Sequence, residues 1–494
     1  MKKARALFLL IVSIFFFYGN FVCGQGINNI FMYGYFNGGR GYMKVDSSGP
    51  TVYHDTLRTI NMNHTNTNIA DNNGNLLFYT NGVLVCDALN DTMPNGKGLN
   101  PCLFTSNHTH YGLTSPQADL ILPDPGNSLE YYLIHQSLDQ YPMDFTNTKV
   151  YFSKINMLLN NGKGDLSQKN IIFYQDTMWG GGTTACKHAN GRDWWIVVVG
   201  AHLPKYYVFL LTPLGISYQS TQIIGNRWDF GQTAFSSDGN YYGIREFVKN
   251  FQIFDFDRCT GIFSNARYVG IADSLFGAGF CFSPNSKLAY ATSAHYIYQV
   301  NLDSINLDSS MIVVATWDST YNPFPPIETG FWFPEVAADG KLYIATTGST
   351  EFMHYINFPD SSGVACDVHQ HDIALTPAFN DGSVPNHPNY FLGPVAGSIC
   401  DSLGLGVPEH ALHDFKFSIQ PNPIINATLS CKYVLPQNKA GTLEIMDMAG
   451  RSLLKEPLPH WSTEQHIKLH LSPGIYAVRI TSNRQQAVLK MIVQ

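Results

Sequence analysis

The sequence has 494 residues, which is enough for two or three domains of ordinary size. Hydrophobic residues make up 45% of the chain and charged residues only 14%, a composition that excludes intrinsic disorder and a coiled coil. The 27 Tyr, 32 Phe and 7 Trp accompany 42 Gly and 26 Pro, and this mixture is typical of many short strands joined by tight turns. We therefore expect an all-β protein.

The N-terminus has the pattern of a secretory signal peptide. Lys2, Lys3 and Arg5 precede an apolar run of 13 residues, from 6 to 18. This run is shorter than the ~20 residues that cross a bilayer, and no longer apolar stretch follows it. We expect residues 1–24 to be removed during export, and the mature chain to have no transmembrane segment.

Charge divides the chain into two parts. Residues 25–416 contain 19 basic and 33 acidic side chains, whereas residues 417–494 contain 8 basic and 4 acidic ones. The large acidic part repels nucleic acids and anionic membranes, so we expect no nucleic-acid partner. The change of sign also marks a domain boundary.

A short phrase, a turn residue followed by aromatic and aliphatic residues, recurs six times between residues 74 and 347. Its copies begin at Gly74, Ser128, Gly191, Gly239, Ser286 and Gly340. Their spacing is close to that of a four-stranded propeller blade with loop insertions. The pattern predicts a β-propeller of six or seven blades over residues 25–400, with a strand near 389–392 closing a seventh blade. The alternative is a pair of β-sandwiches with similar turns.

A linker and a second domain follow the repeats. Residues 401–414 contain Gly404, Gly406 and Pro408 and show no strand pattern. Residues 415–494 alternate between apolar and polar side chains over six or seven short runs separated by turns. This pattern predicts a small antiparallel β-sandwich.

The second domain also resembles a known family. Its segments FSIQPNP, LEIMDMAGR, LHLSPGIYAVRI and LKMIVQ resemble, in order, the type A C-terminal sorting domain of the type IX secretion system. The resemblance implies recognition by the outer-membrane translocon, processing by a sortase, and a location on the outer-membrane surface or outside the cell. The motif residues it implies are Pro421, Asn422, Pro423, Asp447, Gly450, Gly474, Ile475 and Tyr476. We expect Gly474→Val to disturb a turn of this domain. A carbohydrate-binding sandwich is the alternative.

The larger part resembles a second group of proteins. The segments ADNNGNLLFYTNG, SPQADLILPDPGNSLEYYLI, KHANGRDWWIVV and FSPNSKLAYA are similar to the N-terminal propeller of surface proteins that gliding bacteria export through the same system. That group has no general catalytic activity. The resemblance therefore supports the propeller and the export route and leaves the ligand open.

Eight cysteines remain after the predicted signal peptide, and an even number in an exported chain permits disulfides. Because short loops are easy to close, we favour the pairs Cys259 with Cys281 and Cys366 with Cys400.

Signatures of catalysis and cofactor binding are absent from the sequence: it contains no GxSxG, HExxH, Walker or GxGxxG motif. We therefore assign no catalytic or cofactor-binding residues. His369 and His371 would share one face of a strand, and with Asp367 they could begin a structural or channel metal site.

Seven Asp-Ser/Thr triplets resemble the O-glycosylation motif of bacteria with this secretion route. Their hydroxyl groups belong to Thr56, Thr92, Thr177, Ser274, Ser304, Ser319 and Ser402.

Two classes of function remain. The first is a non-enzymatic protein whose propeller binds a glycan, a peptide or an envelope partner, and we favour it. The second is an exported lactonase-like hydrolase with a metal in the central channel. Three or four converging carboxylate, Asn or His ligands would indicate the hydrolase, because a propeller places its sites where the blade loops meet.

Overall fold

The computed structural model describes residues 26–35, 39–109, 111–227, 231–248, 250–401, 416–424, 427–435, 439–447, 450–459, 462–482 and 485–494. The chain divides into two compact units, Met1–Asp401 and Ser402–Gln494, which we call the N-terminal and C-terminal units. The predicted signal peptide and residues 402–414 of the predicted linker lie outside the described residues.

Seven antiparallel sheets of three or four strands form most of the described part of the N-terminal unit. The first sheet has three strands, β1 (Ile30–Tyr33), β2 (Gly41–Asp46) and β3 (Gly49–His54). The second contains β4 (Thr67–Ala70), β5 (Leu76–Thr80), β6 (Leu84–Asp87) and β7 (Thr92–Lys97). The third contains β8 (Asp119–Asp124), β9 (Asn127–His135), β10 (Thr146–Asn156) and β11 (Asp165–Trp179). The fourth contains β12 (Thr184–Lys187), β13 (Trp194–Val199), β14 (Lys205–Thr212) and β15 (Gly215–Ile223).

The remaining sheets continue the same pattern. The fifth contains β16 (Thr233–Phe235), β17 (Tyr241–Arg245), β18 (Asn250–Asp257) and β19 (Ile262–Gly270). The sixth contains β20 (Phe280–Phe282), β21 (Leu288–Thr292), β22 (Tyr296–Asn301) and β23 (Ile312–Thr316). The seventh contains β24 (Phe331–Val336), β25 (Leu342–Thr346), β27 (Phe352–Ile356) and β28 (Val368–Ala374), and β26 (Ser349–Thr350) pairs with β29 (Asn380–Asp381). Short helices are α1 (Leu103–Asn107), α2 (Leu307–Ser310) and the 3₁₀ turns Asn160–Gly162 and Gly363–Cys366.

The six sequence repeats are the second strands of sheets two to seven, and the predicted β-propeller is confirmed. The turn before a repeat requires left-handed backbone in most copies: Gly74, Gly191, Gly239 and Gly340 have φ between 73° and 78°, where glycine carries no steric cost. The strand that follows packs inside the sheet, and β13 is buried along its whole length. Local turn chemistry and apolar runs thus build each blade.

The seventh blade differs from the prediction. Residues 389–392 form no strand; the additional sheet is β1–β3, at the start of the described chain. It packs against the last sheet, with the rings of Phe31 and Tyr343 5.6 Å apart, and Gly39 bridges to Ala378. Residues 389–392 follow another course because Tyr390 is buried against Trp194 instead of lying in a ladder.

Residues 380–393, here called the axial segment, run among the first strands of several sheets. The Asn386 side-chain amide donates to the carbonyl oxygens of Asp119, at 2.8 Å, and Thr183, at 2.9 Å. The Tyr390 hydroxyl donates to the carbonyl oxygen of Ile121 at 3.0 Å. Since the first strands converge at the centre of a propeller, the axial segment lies in its central channel.

The disulfide pairs predicted from loop length are wrong. Cys259, in the turn between β18 and β19, is bonded to Cys400, with Cα atoms 5.6 Å apart and 141 positions of sequence between them. Cys281 and Cys366 are free thiols, and both are buried in one apolar cluster between the sixth and seventh sheets. Folding brings the turn that contains Cys259 close to Cys400, which follows the axial segment. Sequence separation therefore did not decide the pairing.

The C-terminal unit is the predicted small β-sandwich. One sheet has the order β30 (Lys416–Gln420), β31 (Thr428–Val434), β34 (Glu464–Lys468), and the other β33 (Ser452–Leu458), β32 (Gly441–Met446), β35 (Gly474–Ser482), β36 (Gln485–Val493). Alternate side chains of the strands face one core, where Cys431, Leu443 and Val478 are fully buried. The alternation in the sequence is thus the two-face pattern of a sandwich.

Candidate functional site

The channel of the N-terminal unit contains a cavity of about 430 Å³ between the axial segment and the first strands β12, β16, β20 and β24. This volume falls within the range of small-molecule sites. The cavity is bounded by backbone, amide and hydroxyl groups together with the aromatic rings of Phe235, Phe282 and Phe391. The axial segment therefore leaves part of the channel open.

Glu335 of β24 lines this cavity. Its carboxylate has neither a hydrogen bond nor an ion pair among the described residues. Removal from water disfavours the charged form, and burial raises the pKa of Glu335 well above its usual range. The channel thus holds one acidic group that no protein group compensates.

A second feature lies on the surface, in the loop of residues 317–330 between β23 and β24, here called the aromatic loop. The rings of Trp317 and His295 stack at 4.6 Å, and the Tyr321 ring meets Trp317 edge-on at 5.4 Å. The carboxylate of Glu328 lies 3.3 Å from the His295 imidazole and accepts from the Tyr321 hydroxyl at 3.4 Å. Aromatic faces and hydrogen-bond acceptors therefore stand side by side.

The tip of the aromatic loop is fixed although it is exposed. The side-chain amide of Asn322, which is fully buried, donates to the carbonyl oxygens of Phe324 at 3.0 Å and Pro325 at 3.3 Å. The side-chain oxygen Oδ1 of Asn322 accepts a hydrogen bond from the backbone N–H of Glu351 at 3.0 Å. These bonds fix the backbone around Phe324, whose side chain is 84% exposed, so little backbone entropy remains to be lost on binding.

The proposed metal residues are not arranged as one ligand set. His369 lies between Asp367, at 3.1 Å, and Asp372, at 3.2 Å, whereas His371 pairs with Asp318 at 2.7 Å. An irregularity in the pairing of β27 with β28 separates the two histidines, and His371 has a positive φ of 41°. The strict alternation that would place both imidazoles on one face is therefore lost. In the described ranges, no group of three or more His, Cys, Asp or Glu side chains could hold a metal ion.

The candidate O-glycosylation residues lie in several loops and strand ends. Thr56, Thr177, Ser274 and Ser319 are exposed, Thr92 and Ser304 are half-buried, and Ser402 is outside the described residues. Modification of these residues stays a prediction. Ser319 is of particular interest because it lies within the aromatic loop.

The sorting-motif segments, distant in sequence, meet at one end of the four-stranded sheet of the C-terminal unit. The Asn422 amide donates to the Lys490 carbonyl oxygen at 2.7 Å and accepts from Ile492 N–H at 2.9 Å. In the same sheet, Ile475 pairs with Ile492 and Met446 pairs with Ala477. Asp447 follows Met446 directly, so all three motif segments border this end.

The two motif glycines have different structural roles. Gly450 has a positive φ of 78° in the turn that Asp447 closes, where a side chain would be strained. A Cβ atom built on Gly474 meets only the Tyr476 ring, at 3.5 Å or more. Gly474 has ordinary backbone and its Cβ would make contacts of ordinary length, so the structure gives no backbone reason for Gly474→Val to disturb the turn.

Sequence reasoning missed Glu335 and the aromatic loop. Glu335 is a single acidic residue within an apolar strand. Its place in the cavity depends on the axial segment, which forms the opposite wall. The aromatic loop carried a visible signal, the cluster of Trp317, Tyr321 and Phe324 beside Pro323, Pro325 and Pro326. Exposed aromatic residues in a proline-rich connection are a signal for a rigid binding loop.

Comparison with known families identifies the C-terminal unit. The family described as "Secretion system C-terminal sorting domain" matches residues 418–494. A β-propeller followed by this domain defines a protein that is exported to the cell surface or beyond. The chain is cargo of the type IX secretion system.

Several solved structures are distantly similar to the larger part of the chain. A quinoprotein alcohol dehydrogenase-like protein from Bacteroides thetaiotaomicron is 13% identical, covers 73% of this chain and 77% of its own, and has a TM-score of 0.36. A gluconolactonase from Xanthomonas campestris is 11% identical, with coverages of 65% and 93% and a TM-score of 0.29. A protein from Lactobacillus plantarum is 10% identical, with coverages of 73% and 99% and a TM-score of 0.40. Such distant likenesses carry no argument about activity.

A search of curated proteins finds no significant match. Among the residues that the structure describes, no helix is both long and apolar enough to cross a bilayer.

Proposed function

We propose that this protein, after export by the type IX secretion system, binds a glycan through the aromatic loop of its N-terminal unit. The observation that carries the proposal is that one backbone-fixed loop exposes the rings of Tyr321 and Phe324 and holds the Glu328 carboxylate against the Tyr321 hydroxyl. Aromatic rings pack against the apolar C–H faces of sugars, and carboxylates accept hydrogen bonds from sugar hydroxyl groups. The loop offers both chemistries within one rigid segment.

The composition of the surface favours a glycan over a protein partner. A stable protein interface buries roughly 800 Å² on each side, with a contiguous apolar centre. The exposed large apolar side chains of the aromatic loop are Tyr321 and Phe324, and the loop also carries the carboxylates of Asp318 and Glu328, the latter 3.3 Å from the His295 imidazole. Two rings with flanking acceptors suit one or two sugar units.

The second class of function, a hydrolase with a channel metal, lacks its expected ligands in the described residues. The cavity is lined by Glu335, His387, Asn28, Asn386 and Asn389. The His387 Nε2 lies 3.1 Å from the carbonyl oxygen of Asn68, and the side chains of Asn386 and Asn389 are already bonded to backbone groups. No group of three or more His, Cys, Asp or Glu side chains in the described residues could hold a metal ion. Three or four converging ligands would be required. We therefore do not propose hydrolysis.

Binding of the mature protein to immobilised oligosaccharides tests the proposal. We expect a subset of glycans to bind, and Tyr321→Ala and Phe324→Ala each to weaken binding by roughly tenfold, since loss of a stacking aromatic at a binding site costs about 1 to 2 kcal/mol. Phe358→Ala is the matched control, because Phe358 is 56% exposed elsewhere on the same unit. Undiminished binding by both loop variants, or binding to peptides and to no glycan, would reject the proposal.

A further inference from the structure

The channel cavity contains a carboxyl group without any compensating charge. Glu335 lies on the innermost strand of the seventh sheet and faces the cavity. Buried carboxylates are normally paired or hydrogen-bonded, since an isolated buried charge is costly. Uncompensated ionisable groups in cavities are candidates for functional sites.

The other titratable groups around Glu335 are neutral near pH 7. His387 lines the cavity, and burial lowers its pKa to about 4. Burial raises the pKa of Cys186 to about 12 and that of Cys281 well above its usual range. Tyr390 of the axial segment lies close enough for the Glu335 charge to contribute to its raised pKa. Among the described lining groups, Glu335 is therefore the one that a cationic ligand would bring to its charged form.

We infer that the channel cavity binds a small organic ammonium ion, with the Glu335 carboxylate as its counter-ion. The volume of about 430 Å³ accommodates a molecule of a few to about fifteen non-hydrogen atoms, as small-ligand pockets do. The rings of Phe235, Phe282 and Phe391 supply apolar walls that suit the alkyl part of such a cation, and aromatic faces attract ammonium groups.

The charge of the surrounding chain supports a cationic ligand. Residues 25–416 carry 33 acidic and 19 basic side chains, and such an excess raises the local concentration of cations. A metal ion is a poorer occupant, because Glu335 is the one carboxylate that lines the cavity in the described residues, and divalent cations favour several charged oxygen ligands. An ammonium ion requires only a few hydrogen-bond acceptors and one opposite charge.

Ligand-observed NMR with the mature protein tests this inference. The probes are butylammonium and the neutral butan-1-ol, which share an alkyl chain and differ in charge. We expect butylammonium to bind, and more tightly at pH 8 than at pH 5, because the ligand binds the ionised carboxylate while butylammonium itself stays protonated. Glu335→Gln should weaken butylammonium by about tenfold or more and leave butan-1-ol unchanged.

Further variants keep the outcome clear. Glu335→Asp retains the charge and should keep the pH dependence at reduced affinity, which separates loss of charge from loss of folding. Glu328→Gln, in the aromatic loop, should leave butylammonium binding unchanged, so failure of the glycan proposal would not affect this test. Equal binding of both probes, no binding of butylammonium, or unchanged binding by Glu335→Gln would overturn the inference.

Discussion

The two units of this protein are stabilised by different kinds of interior. In the described part of the C-terminal unit, the buried residues are apolar apart from Ser482. The centre of the N-terminal unit instead buries many amides, among them Asn66, Asn68, Gln232 and Asn386. Their side chains bond to backbone groups of neighbouring sheets, as Asn66 does to the Met32 carbonyl oxygen at 2.7 Å.

The difference shows how structure and function are separated in one chain. The core of an apolar sandwich requires complementary side-chain shapes and an alternation of apolar and polar residues along each strand, because the hydrophobic effect has no preferred direction. A channel lined by amides depends on directional bonds to particular partners, because an unpaired buried group costs about 1 to 3 kcal/mol. The C-terminal unit is therefore suited to carry a portable export signal, and the N-terminal unit holds a polar cavity.

The largest expected effect concerns export. Deletion of residues 417–494 removes the sorting domain, so we expect the protein to accumulate in the periplasm and to be absent from the surface and the medium. Fractionation followed by immunoblotting measures the distribution. The unaltered full-length protein is the control and should be exported. Undiminished surface display of the truncated chain would contradict the assignment of export to the C-terminal unit.

Loss of the disulfide should affect the N-terminal unit alone. Cys400→Ser opens a loop of 141 positions, and removal of such a cross-link lowers the free energy of unfolding by about 2 to 4 kcal/mol. Scanning calorimetry of the mature protein should show a lower Tm for one transition and an unchanged second transition. A reductant should reproduce the shift in the wild type and add nothing to the variant; a shift in both transitions would argue against independent units.

The amide network is tested by Asn386→Ala. The change leaves the carbonyl oxygens of Asp119 and Thr183 without their donor, which should lower the free energy of unfolding of the N-terminal unit by about 2 to 3 kcal/mol. Denaturant unfolding measures the loss. Asn389→Ala removes the bond to the Ser237 carbonyl oxygen at 2.7 Å and the bond from the Phe391 N–H at 3.0 Å. Because Asn389 is only half-buried, water can replace these bonds and the loss should be about half as large. Equal, negligible effects would show that the axial segment does not stabilise the channel.

The pH dependence of stability should depend on Glu335. Because burial raises the pKa of Glu335 from 4.5 to a much higher value, the folded state holds its proton more tightly than the unfolded chain does. Stability is therefore full below the unfolded pKa and falls as pH rises through the folded pKa. Glu335→Gln should remove this fall and raise the free energy of unfolding at pH 8 by about 1 to 2 kcal/mol. Parallel pH profiles of the two proteins would contradict this expectation.

The smallest effect compares two glycines of the sorting motif. Gly450→Ala places a side chain at a φ of 78° and should lower the free energy of unfolding of the C-terminal unit by about 1 kcal/mol. Gly474→Ala should change it little, since its Cβ would have only ordinary contacts. Denaturant unfolding distinguishes the two. A larger loss for Gly474→Ala would show that the motif glycines act through packing and not through backbone conformation.

Much of the fold was predictable because its signals are local. Each repeat combines a turn with positive φ and an apolar strand, so the six copies starting at Gly74 marked six blades. The first sheet was missed because β1–β3 lack that phrase. The channel was missed for another reason: Asn386 bonds to residues 267 and 203 positions away, and no local pattern records such a pairing.

The amino-acid order alone determined the class of fold, the division into two units and the export signal, since strand alternation, turn glycines and motif spacing act over a few neighbouring residues. Only the tertiary structure decided the partner of Cys259, the separation of His369 from His371 and the place of Glu335. Each of these depends on which distant segments meet when the sheets close around the axial segment. Burial and hydrogen bonding at that centre, and not local propensity, set the chemistry of the channel.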